Sequence, residues 1–248
     1  MKLKEVFDQL TYGELSQLSI GGGEAGVINE SNYARVLAHV NLGLTALHKR
    51  FLLKEREVML ALQPGRLTYP IHSSFAASNY KSRETVRYLV DSQSDQFADD
   101  IYKIERVYTS KGFEMGLNDK EDPYSLHTPS YSVLQVPAKI VTPTLDVPVE
   151  LQSATLRIVY RAGHPHIVMG LSQFAPERVN VDIPDSYLEA LLLFVASRVH
   201  TPTGLTNELN MGNNYSAKYE AECQKLEVYN LRVDQGSQPD RAARNGWV

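Results

Sequence analysis

The chain has 248 residues, 43% of them apolar and 22% charged, with a net charge of -4 and one cysteine. That length holds one large domain or two small ones, and the composition is that of an ordinary globular chain. Its longest apolar run, Ala190–Ala196, falls far short of the about 20 residues a membrane-spanning helix needs. Lys2 and Lys4 lead into no apolar stretch of the signal-peptide kind. Cys223 alone excludes an intramolecular disulfide and a Cys-based zinc cluster. The acidic balance argues against a broad phosphate-gripping surface. The expectation is a soluble protein of a reducing compartment, without membrane or nucleic-acid bias.

The apolar pattern changes period twice along the chain. Leu3, Val6, Phe7, Leu10, Leu15 and Leu18 predict a short helix interrupted at Gly13, followed by the glycine-rich link Gly21–Gly26. Asn29 or Ser31 offers an N-cap for a second helix, in which Tyr33, Val36, Leu37, Val40, Leu44, Leu47 and Phe51 share one face. Gly43 within it lowers helix propensity by about 1 kcal/mol, which predicts close approach of a neighbouring backbone. After Leu53 the period drops to two. Val58, Leu60 and Leu62 alternate up to the Gln63–Gly65 turn, and Leu67, Tyr69 and Ile71 alternate after it. Ile101–Tyr108 reads as a strand, Thr109–Gly112 as a hairpin turn and Phe113–Leu117 as the returning strand. Ala154, Leu156, Ile158 and Tyr160 line one face of another strand, with Arg157 and Arg161 on the other. Helical spacing returns after Pro184, Asp185 and Ser186, which open a helix that runs to His200 and is apolar nearly all round. A last helix from about Asn207 to Arg232 carries Tyr215, Tyr219, Cys223, Leu226 and Tyr229 on one stripe.

The fold class read from this order is α+β: a helical core of four helices interrupted by an inserted antiparallel β domain, with an extended C-terminal tail. Its parts are 1–53, first part of the helical core; 54–182, the β insert; 183–232, second part of the core; and 233–248, the tail.

Catalytic signatures are sparse. Gly21, Gly23 and Gly26 match G-x-G-x-x-G, but a helix precedes them where a nucleotide-binding turn needs a strand. His164-Pro165-His166 reads as a surface turn before Ile167-Val168-Met169 rather than a metal site. Asn118–Asp122 lacks the glycine and closing glutamate of a calcium loop, and Asp99–Asp100 likewise reads as a solvated loop. Cys223, on an apolar stripe, reads as a small buried hydrophobe. No catalytic residue, metal ligand or cofactor is assigned, and no enzymatic activity is expected.

Two other features stand out. Fourteen tyrosines against one tryptophan supply amphipathic rings suited to surfaces that a partner covers. The tail ends Arg241-Ala242-Ala243-Arg244-Asn245-Gly246-Trp247-Val248, rich in residue types that dominate interface hot spots.

Three stretches together carry a family likeness. They are the helical core split by a β insert, with its long last helix and extended end; Ala98–Tyr108 running through the turn into Phe113–Asp119; and Ile183–Leu191 followed by Val195–Val199. In these the chain resembles the head-to-tail adaptor, or connector, proteins of tailed bacteriophages, including the tail tubular proteins of short-tailed phages. The resemblance implies a structural virion protein of the neck or tail, assembled in the host cytoplasm. Its copies would form a dodecameric ring that joins the portal protein to the tail nozzle or tail tube, with genome DNA passing through without sequence-specific binding. On this reading the tail residues Arg241, Arg244, Asn245, Trp247 and Val248 bind the portal. Tyr33, Leu37, Val40, Leu44, Tyr187, Leu191, Phe194, Tyr215 and Tyr219 lie between subunits, because the helices' apolar surface exceeds what one thin bundle hides. The alternatives are another neck or tail-completion protein, or a glycan-binding or glycan-cleaving tail component using Asp99, Asp100, Glu121 and Asp122.

Overall fold

A computed structural model describes residues 1–18, 20, 25–170, 174–200 and 206–229. In chain order its elements are α1 (Leu3–Tyr12), α2 (Tyr33–Arg50), β1 (Glu55–Ala61), β2 (Thr68–Pro70), β3 (Leu89–Val90) and β4 (Ile101–Thr109). There follow β5 (His127–Ser130), β6 (Val133–Gln135), the single turn α3 (Ala138–Val141), β7 (Thr155–Ala162), α4 (Leu188–His200) and α5 (Thr206–Val228). The class is α+β with antiparallel sheets. The chain divides into two units, one made of 1–53 with 164–248 and the other of 54–163.

In the first unit α1 buries Leu3, Val6, Phe7 and Leu10, the face that three- and four-residue spacing dictates. The helix stops at Gly13, and the chain folds back so that the Gly26 N–H reaches the Leu18 carbonyl at 2.9 Å with φ +76°. The N-cap of α2 falls one residue after Ser31 and three after Asn29, the two predicted caps. It is Asn32, whose side chain accepts the Asn29 N–H and donates to the Val27 carbonyl, knotting the turn before the helix. Pro184 leads into a 3₁₀ turn, Asp185–Tyr187, and no side chain caps it. Helix α4 packs against α1, α2 and α5, which accounts for its nearly all-round apolar surface. Helix α5 spans 23 residues, about 35 Å, and buries Tyr219, Cys223 and Leu226. Its predicted stripe ends early, because Tyr229 is exposed.

The segment 164–182, assigned from sequence to the β insert, belongs to the helical unit. Val181 and Ile167 are buried in its core. Residues at the chain start pair with this segment, Leu3 N–H donating to the Val179 carbonyl and Val181 N–H to the Met1 carbonyl, each at 3.0 Å. Asn41, buried on α2, brackets Ile167 through its amide, accepting its N–H at 3.0 Å and donating to its carbonyl at 2.9 Å.

The second unit holds a four-stranded sheet of order β3-β1-β7-β4 and a three-stranded sheet β2-β6-β5. Val58, Leu60, Leu156, Ile158, Ile104 and Val107 fill its core with Tyr69, Tyr88 and Tyr160. Alternation fails at Leu67, which is exposed just before β2 begins. The predicted hairpin after β4 is present at Gly112, φ +83°, but its return arm makes only a bridge, Tyr108 with Glu114, rather than a strand. The two ends of the unit are clasped: Ala162 N–H donates to the Lys54 carbonyl at 2.9 Å, beside the β1–β7 ladder that pairs Glu55 with Arg161.

Candidate functional site

The residues assigned from sequence to a subunit interface are used inside the helical unit itself. Leu37, Val40, Leu44, Tyr187, Leu191 and Tyr219 are buried in its core, and Tyr33, Phe194 and Tyr215 pack against it while partly exposed. Their rings are engaged there: Tyr33 stacks on Phe7 at 5.3 Å, Tyr187 meets Phe51 edge-on at 5.0 Å, Phe194 meets Tyr219 at 5.3 Å and Tyr215 stacks on His200 at 5.3 Å. Periodicity identifies a face that must be covered, not what covers it. Here α1, α2 and α5 pack on α4. Arg241, Arg244, Asn245, Trp247 and Val248 lie outside the described residues.

The carboxylates considered for glycan chemistry hold the chain together. Asp99, at φ +55°, accepts both the N–H (2.6 Å) and the hydroxyl of Ser73. Asp100 is no solvated loop residue: it accepts from Arg56 and from the Tyr160 hydroxyl, each at 3.1 Å. Burial first, and then the Asp100 carboxylate, push the Tyr160 phenol above its ordinary value. Arg56 also pairs with Asp95, and both line an open cleft with Asp91, Phe97 and Tyr160. In the Asn118–Asp122 loop, Asp119 accepts the Glu121 N–H at 3.0 Å and Asp122 the Tyr124 N–H at 2.9 Å. Asn118, at φ +59°, exchanges two hydrogen bonds with Thr128. Asp122 borders a shallow groove with Lys120 and His127.

Among the described residues no three His, Cys, Asp or Glu side chains converge as a metal site. His164 accepts the Asp182 N–H at 3.0 Å and lies edge-on to His48, whereas His166 approaches Asn41. Gly21 and Gly23 of the glycine motif lie outside the described residues. Cys223 is fully buried; burial pushes its thiol up, against the hydrogen bond from Tyr219.

Two surfaces on the helical unit were not read from the sequence. On the α2–α4 side, Arg35 and His39 are one turn apart on α2, and Arg198 stands over the Phe194 ring at 5.4 Å. Burial lowers the His39 pKa, and Arg35 and Arg198 lower it further. On the α4–α5 side, Gly13, Glu14, Glu189, Leu193, Tyr215 and Lys218 border a groove of about 480 Å³. These juxtapositions depend on which helices neighbour each other, and no sequence spacing encodes that across so many residues. No protein-family model and no curated protein matches this chain.

Proposed function

We propose that this chain is a structural virion protein, a head-to-tail adaptor whose copies close into a ring between portal and tail and leave a channel for genome DNA. The observation that carries the reading is the build of the chain. The segments before and after the β unit contribute α1, α2, α4 and α5 to a single unit, which we read as a helical bundle with an antiparallel β insertion. A long last helix, followed by further chain to Val248, agrees with the sequence resemblance. The exposed apolar side chains Phe113, Leu145 and Val149 on the β unit are suited to contact with a tail component, and the residues after α5 are suited to reach a portal.

The test is particle shape. Negative-stain images and native mass measurements of the purified chain, alone and mixed with portal rings, are expected to show rings or portal-bound copies. A chain that stays monomeric and free beside the portal overturns the reading.

A further inference from the structure

The helical unit carries unmatched charge on two opposite sides. On the first, Gly43 of α2 lies against Leu191 and Phe194 of α4. One turn towards the start of α2 is His39, and one turn towards the end of α4 is Arg198. Arg35 lies one further turn along α2. Arg35 and Arg198 are exposed, and neither forms an ion pair with any described residue. The Nδ1 atom of His39 is buried without a hydrogen-bond partner. Two guanidinium groups flanking an imidazole, with no carboxylate paired to them among the described residues, form an incomplete arrangement that an anionic group would complete.

On the second side, the α4–α5 groove holds the opposite deficit. One carboxylate oxygen of Glu14, Oε2, is buried without a hydrogen-bond partner, and Glu189 is exposed at the rim. Glu222 in the same groove is already paired with Lys225 at 2.8 Å, and Lys218 stands over the Tyr215 ring. Lys225 also acts on Glu189 through space without forming an ion pair with it, so among the described residues of this groove Glu14 and Glu189 are the carboxylates without an ion-pair partner. Glu189 and Arg198 are about two and a half turns apart on α4, which points them to opposite sides of the helix. A basic patch on one side and an acidic one on the other is the arrangement a head-to-tail contact between identical copies requires, and such contacts close into rings.

We infer that the Arg35–His39–Arg198 face of one copy receives the Glu14–Glu189 rim of a second copy of this chain. The inference rests on the ring reading and names the contact within it. It is tested with the full chain carrying Arg198→Glu or Glu189→Arg. Both positions are exposed, and circular dichroism checks that each variant folds. Light scattering at high protein concentration, and images with portal rings, read the assembly. Wild type is expected to associate, and each variant about tenfold more weakly or worse. An equimolar mixture of the two variants is expected to recover association, since each presents the charge the other lacks. Raised salt is expected to weaken the wild-type contact. Variants that assemble as wild type does overturn this contact and leave the ring standing; a wild-type chain that never assembles, alone or on the portal, overturns both.

Discussion

Gly43 lies directly against Leu191: a Cβ on the glycine would stand 2.6 Å from Leu191 Cδ1 and 3.1 Å from Phe194 Cδ1. The glycine therefore sets how closely α2 approaches α4. The sequence predicts a backbone as the close neighbour, but side chains occupy that place. Gly43→Val is expected to overpack this contact and cost about 1–3 kcal/mol, despite removing a residue of poor helix propensity. Denaturant unfolding measures it; an unchanged midpoint would mean the helices slide apart without penalty.

Asp91 is an acid-sensitive fastener of the β unit. It accepts the N–H and hydroxyl of Ser78 at 2.8 and 2.5 Å and the N–H of Phe97 at 3.0 Å. Burial raises its pKa, but these bonds outweigh it and hold the carboxyl below its ordinary 3.8. A depressed carboxylate stabilises the fold above its unfolded-state pKa, and that contribution disappears as pH falls through the folded-state value. Asp91→Asn is expected to lose about 1–2 kcal/mol near neutral pH. The difference from wild type should shrink below about pH 3.8, which unfolding curves across that range would reveal.

Arg50 bridges α2 to α5 through Glu220 at 2.7 Å and Glu227 at 2.9 Å. Arg50→Met retains the aliphatic stem and removes both ion pairs. Because the pairs are partly exposed, a loss of about 1 kcal/mol is expected at low salt, diminishing as salt rises. A salt-independent loss would assign the effect to the guanidinium standing over the Phe51 ring, 5.9 Å from its centroid, instead.

Cys223 is fully buried on α5, with its thiol pushed up by burial. Thiol reagents act on the exposed thiolate, so modification of the native chain is expected to be slow and to become fast on unfolding. Rapid labelling of the folded protein would show that α5 opens from the helical unit.

Removal of Val233–Val248 is expected to leave thermal unfolding of the chain unchanged while abolishing binding to portal rings. Binding that survives the truncation would place the docking surface elsewhere.

What could be read from sequence follows the range of the forces involved. The faces of α1 and α2 were legible because burial repeats every turn, and β1 because it alternates, whereas bulges set the buried Ile101, Ile104 and Val107 of β4 three residues apart and β7 is buried on both faces from Ile158 onward. The end of the β unit was not legible, because 164–182 has no period and is fixed by distant partners, Val179 and Val181 by the chain start and Ile167 by Asn41. A buried asparagine in an apolar stripe was the available signal. That Leu37, Leu191 and Tyr219 are covered within the chain was not legible for the same reason, since their partners come from helices far away in the sequence. Arg35, Arg198, Glu14 and Glu189 were missed because each is an ordinary surface charge until the folded helices place it.

The bond between Lys54 and Ala162 has a consequence for how the polypeptide reaches its native state. Closing a loop of roughly a hundred residues costs more chain entropy than closing a short turn, though only logarithmically. Once β1 and β7 zip together, that detour is spent, and the helical halves on either side behave as if joined by a hairpin. The β unit can then act as an exchangeable cassette: lineages could replace it with another module of similarly clasped ends, retuning what it touches while the helices keep their mutual register.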